Sequence, residues 1–62
     1  MDIKHPTRAG QAVQDIATGK IGITTDEMMK RTPRIGVIFL GHNYSVLCQI
    51  EELRVVEIEV AS

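Results

Sequence analysis

The 62-residue sequence predicts an all-β fold, a small barrel of four or five short strands with one short helical turn. Three observations point to it. Glycine-centred turns recur at Gly19 and Gly41, leaving intervals that suit strands better than packed helices. Arg34-Ile35-Gly36-Val37-Ile38-Phe39-Leu40 is rich in residues that fit a pleated sheet. Val56, Ile58 and Val60 alternate with Glu57 and Glu59, which is the period of a half-buried strand. Strands this short protect their edges most simply by closing on themselves.

The opening residues 1–9 read as a flexible or edge segment ending near Pro6, and residues 10–60 as the barrel domain. Gln11–Ile16 is a short extended segment whose imperfect alternation calls for a bulge. Thr18-Gly19-Lys20 is a turn. Ile21–Thr25 then resumes an extended pattern, with Ile21 and Ile23 on one face and Gly22 suited to close backbone packing on the other. Thr25–Arg31 reads as a short helical turn capped by Thr25 or Asp26, or as a broad loop, and Pro33 prevents a longer helix.

The next strand, Arg34–Leu40, puts Ile35, Val37 and Phe39 on one face. Ile38 and Leu40 point the other way, which implies a second buried surface or an oligomer contact. Gly41-His42-Asn43 connects it to Tyr44–Ile50, where Leu47 again supplies an apolar side chain to the opposite face. Glu51-Glu52-Leu53 is a short turn before a last strand, Val55–Val60.

Composition narrows the functional classes. At 44% hydrophobic the chain can form a core, but a domain this small buries only about 60% of its unfolded surface, so association is a second source of burial. Seven basic against eight acidic side chains leave a net charge of -1, which disfavours strong nonspecific phosphate binding. Met1–Pro6 lacks the apolar run of a secretory signal, and there is no apolar span near the roughly 20 residues that cross a bilayer. Cytoplasm is the expected compartment.

No residue set nominates a catalytic, cofactor or metal site. Cys48 is the single cysteine and sits in an apolar stretch, as a small core residue does. His5 and His42 have no metal-ligand spacing, Ser45 lies in no nucleophile elbow, and Gly19-Lys20-Ile21-Gly22 lacks a full phosphate-binding loop. Asp15 is placed to order the turn that follows it. Asp26-Glu27 and Glu51-Glu52 are adjacent carboxylates without the further oxygens of a calcium site.

Gly10 through Ile23 reads Gly-x-x-Val-x-Asp-x-x-Thr-Gly-Lys-x-Gly-x, followed by a middle loop and a strand-turn-strand pair. The pattern resembles SH3-like small barrels, including the KOW-type subgroup, over residues 10–58, and Glu51-Glu52-Leu53 is similar to the short helical turn before their last strand. With Tyr44 and Phe39 as the only Phe, Tyr or Trp residues, the aromatic groove of proline-peptide-binding SH3 domains is not reproduced.

The expected function is that of a non-enzymatic protein-interaction module or accessory subunit, open to homo-oligomerisation. Its candidate partner contacts are Lys30, Arg31 and Tyr44. The rival is a KOW-like RNA-binding module using Lys20, Lys30, Arg31 and Arg34. A homo-oligomeric barrel enzyme, similar only in architecture to small plasmid-type dihydrofolate reductases, is the third reading.

Overall fold

The computed structural model of the protein describes residues 3–31 and 33–57. Its elements are β1 (Ala12–Asp15), β2 (Ile21–Met29), β3 (Arg34–Phe39), β4 (Val46–Gln49), a 3₁₀ turn (Ile50–Glu52) and β5 (Leu53–Val55). All pairings are antiparallel in one five-stranded sheet of order β4-β3-β2-β1-β5.

This order corrects the expected architecture. β4 and β5 are the two edges, and they do not pair among the described residues, so the sheet is open. It is neither a closed small barrel nor an SH3-like or KOW-type barrel. A flat five-stranded sheet would set its edges about 19 Å apart, whereas a three-residue 3₁₀ turn rises only about 6 Å. The sheet therefore curls to let β4 lead into β5. The link between β4 and β5 is this 3₁₀ turn rather than a hairpin, so the two edges are not set side by side in a ladder.

Local chemistry explains the turns. Asp15 N–H donates to Lys20 O at 2.8 Å, Gly19 N–H donates back to Asp15 O at 2.7 Å, and the Asp15 carboxylate accepts from Ala17 N–H at 3.0 Å. Gly19 closes this turn at φ +79°, a conformation costly for a side chain-bearing residue. At the β3–β4 hairpin Gly41 takes φ +89°, and His42 N–H donates to Phe39 O at 3.0 Å. Tyr44 falls in this connection, two residues before β4 begins.

Two further segments differ from expectation. Thr25–Met29 is not a helical turn but the second half of a nine-residue strand, because Met28 and Met29 pair with Ile35 and Arg34. Between Thr24↔Val37 and Met28↔Ile35, β2 advances four residues against two on β3. The bulge expected in Gln11–Ile16 therefore lies in β2, while β1 pairs regularly with it. Gly36 makes room for the bulge, since a Cβ there would collide with Thr25. The last strand also lies earlier than expected, at Leu53–Val55; Val56 and Glu57 follow it outside any strand, and the expected strand residues Ile58–Val60 lie outside the described residues.

The core is small and aliphatic. Val13, Ile35, Val37 and Leu53 are fully buried, and Phe39, Cys48, Ile50 and Val55 pack around them. Thr24 is the buried polar residue beside it. Its hydroxyl donates to Arg8 O at 2.7 Å and accepts from Gln11 N–H at 2.9 Å, so no polar valence is wasted there.

The N-terminal segment is held by several contacts. Pro6 is fully buried, and Val55 N–H donates to Lys4 O at 2.7 Å. His5 Nδ1 lies 2.9 Å from Leu53 O and 3.1 Å from Ile50 O. Both partners are carbonyl acceptors, so Nδ1 carries the proton. Backbone and imidazole together lay this segment along the free edge of β5.

Candidate interaction face

The inward face of the sheet is consumed by the core; the outward face is not. Cross-strand partners share a face, so the register Ala12↔Ile23↔Ile38 aligns three apolar side chains on the outside. The next row holds Ile21, whose carbonyl accepts from Leu40 N–H at 2.9 Å. Leu47, opposite Gly36, lies diagonal to Ile38. Ile23 is 47% exposed, Ile38 40%, Leu40 71% and Leu47 40%, values far above those of the core. The alternation that buries Ile35 and Val37 forces Ile38 and Leu40 outward.

Polar groups limit the patch on two sides. Along β1 and β5, Gln14 accepts from Arg54 Nε at 2.8 Å and donates to Gly19 O at 3.1 Å. At the far end, Met29, Arg34 and Gln49 share one row of the outward face. Arg34 Nε there is buried and has no hydrogen-bond partner among the described residues. Together with Arg31, Pro33, Gln49 and Glu51 it lines an open hollow of about 320 Å³. A buried guanidinium nitrogen without an acceptor is costly, and a carboxylate docked in the hollow would relieve it.

The candidate residues divide between the two ends of the sheet. Lys30 and Arg31 follow β2, and Arg34 opens β3, so these three gather at one end. Lys20 precedes β2, and a nine-residue strand separates it from Lys30, on the order of 30 Å if straight. Tyr44 lies at the Lys20 end, 56% exposed, with its ring edge-on to His42 at 5.2 Å. The arginines and Tyr44 thus frame the sheet from opposite ends rather than forming one patch.

A grouping invisible in the sequence occurs at the Lys20 end. Asp15, Lys20, His42, Tyr44 and Cys48 line a second hollow of about 260 Å³, with Thr18, Phe39 and Val46. The signal that could have found it is topological: the β1–β2 and β3–β4 turns must emerge at the same end of an antiparallel meander. Burial pushes the Cys48 thiol pKa above its ordinary value of 9.0, and the charges of Asp15 and Glu52 raise it further. The thiol is therefore protonated at neutral pH and a poor nucleophile.

Alkylation tests this directly. In the folded protein Cys48 should react with iodoacetamide more slowly than in the urea-unfolded chain at mildly alkaline pH, with a pH–rate midpoint above that of the unfolded chain. A midpoint at or below that of the unfolded chain would contradict the burial. The sign for stability follows: contributions from the neutral thiol are present below 9.0 and fade as pH rises through the higher folded value.

Among the described residues, no group of three or more His, Cys, Asp or Glu side chains is placed to hold a metal ion. Nor is any described helix long and apolar enough to cross a membrane. No known protein family, curated protein or solved structure matches the chain.

Proposed function

We propose that the protein is an interaction module, or accessory subunit, that docks another folded protein on the outward face of β2 and β3. The observation that carries this is the outward pair Ile23 and Ile38 with Leu40 just beyond β3, each 40% or more exposed. Side chains of this size are worth about 1.5–3 kcal/mol each when fully covered.

The partner that fits is apolar at its centre and acidic at its border. Arg31 and Arg34 offer their hollow to a carboxylate, and Lys30 adds positive charge at the same end. Burial supplies the affinity, while the arginines set the orientation. Tyr44 frames the opposite end, where its hydroxyl and exposed ring suit a second contact.

The test is affinity capture at native expression, with RNA digestion, of wild type, Ile38→Asp and Lys20→Ala. A stoichiometric protein partner should survive digestion, fall at least about tenfold with Ile38→Asp, and persist with Lys20→Ala. Melting curves establish that the Ile38 variant is folded. Recovery indifferent to Ile38, or abolished by RNA digestion, would overturn this reading, and the second result would favour RNA as the ligand.

A further inference from the structure

We infer that the chain pairs with a second copy of itself through the free edge of β4, forming a two-fold dimer with Leu47 at its axis. This goes beyond the docking face and does not depend on it.

The two edges of the sheet are treated differently. β5 is three residues long, carries the charged Arg54, and has its outer backbone groups taken by the N-terminal segment: Val55 N–H by Lys4 O, and Leu53 O by His5 Nδ1. Among the described residues, β4 pairs only with β3, on its inner side. Its sequence, Val46-Leu47-Cys48-Gln49, contains no charge, no proline and no glycine, and no bulge interrupts its pairing with β3. Charge, proline, bulges and short length are devices by which a bare edge avoids pairing with another chain, and of these β4 has only its four-residue length. Val46 and Leu47 are also 42% and 40% exposed, so the edge is apolar as well as unpaired.

Symmetry and pleat then select the register. In one continuous antiparallel sheet the two-fold axis is perpendicular to the sheet, so residues that face each other must lie on the same side of the pleat. That requires one residue to sit opposite its own copy. With Leu47 on the axis, Leu47 meets the partner's Leu47 on the outward face, and Val46 meets the partner's Cys48 on the inward face. Beyond the strand ends, Ile50 falls opposite the partner's Tyr44, and Glu51 opposite the partner's Asn43, so no like charges are opposed. The alternative axis at Cys48 sets Leu47 against the partner's Gln49 and loses the apolar match.

A four-residue pairing covers well under the roughly 800 Å² per partner of a standard stable complex, so the dimer should depend on concentration in the micromolar range or above. Its consequence is geometric. The pairing would join two five-stranded sheets and place the outward apolar ladders of both copies on one continuous surface.

Sedimentation equilibrium should show the mass rising from 6.9 kDa toward twice that value as concentration increases to about 1 mM. Leu47→Lys sets two ammonium groups against each other at the axis and should hold the protein monomeric without lowering its melting temperature appreciably. In a Cys48→Ser background, Leu47→Cys should form a disulfide-linked dimer on mild oxidation, because directly opposed strand residues have Cβ atoms about 5 Å apart. Gln49→Cys in the same background should not, since its two copies lie about 14 Å apart along the strands.

Ile38→Asp separates the two proposals: it should abolish partner capture and leave the dimer intact. A monomer at about 1 mM overturns the inference, as does a dimer that survives Leu47→Lys or crosslinks equally at both positions. A dimer lost with Ile38→Asp and kept with Leu47→Lys would assign self-association to the sheet face instead.

Discussion

Gly22→Ala should unfold the protein or lower its melting temperature by well over 10 °C. The glycine lies inside the sheet, between Val13 on β1 and Phe39 on β3. A Cβ there would meet Val37 Cγ1 at 2.6 Å, Ile38 O at 2.8 Å and Phe39 Cα at 3.0 Å. Two of the three obstacles are backbone atoms, so a rotamer change cannot relieve the clash; β2 must separate from β3. Overpacking of this kind costs about 1–3 kcal/mol where neighbours can shift, and more where they cannot.

A chain of this length has only roughly 3–9 kcal/mol to lose, and each kcal/mol shifts the melting temperature of a small domain by about 4–8 °C. Gly41→Ala is the control. Its Cβ would meet nothing within 4 Å, and only the positive φ of +89° resists it, so a loss of about 1 kcal/mol is expected. Thermal melts of the two variants should differ widely. Equal effects would mean that the close approach of β2 and β3 is not as described.

Leu53→Ala should remove about 2–5 kcal/mol, a large share of the total. Leu53 is fully buried against Val13, Ile35 and Val37, and it is the only core residue contributed by β5. Its truncation leaves a void in a core too small to collapse around it. The damage should spread along the edge, because Leu53 O also accepts the His5 hydrogen bond that helps hold the N-terminal segment. Urea unfolding should show the lost free energy, and hydrogen exchange should show early deprotection of Val55 N–H, whose acceptor is Lys4 O. Leu53→Met, which conserves volume, should cost less than about 1.5 kcal/mol. An alanine variant as stable as the methionine one would remove Leu53 from the core.

Features legible in the sequence were those that depend on a few adjacent residues. Gly19 and Gly41 announced their turns because positive φ is a local requirement. The split of β3 into an inward row of Ile35, Val37 and Phe39 and an outward Ile38 and Leu40 followed from pleat alone, and with it the apolar outer face. Gly22 was readable as a point of close packing for the same reason. The partner contacts were only partly readable: Lys30 and Arg31 were recognisable as neighbours, but that Tyr44 emerges at the other end depends on how β2 and β3 run.

What the sequence by itself determined is therefore a mostly-β chain with a short turn near Glu51 and an aliphatic interior facing one way. The tertiary structure decided the rest. Thr25–Met29 has the local look of a helical turn, yet pairing of Met28 and Met29 with β3 made it strand, because ladder hydrogen bonds outweigh a weak helical preference. The last strand settled on Leu53–Val55, which pair with Asp15, Gln14 and Val13 in β1.

Closure was decided in the same way. Short strands permit a barrel, but whether two edges meet depends on curl, register and the three-residue link between them, none of which is encoded in a single segment. Among the described residues, the N-terminal segment covered the β5 edge and left the β4 edge without a partner strand. That asymmetry rests on hydrogen bonds between residues some 45 to 51 positions apart in the chain, Lys4 with Val55 and His5 with Ile50 and Leu53. Contacts of such range are set by the folded chain as a whole, beyond the reach of periodicity and turn chemistry.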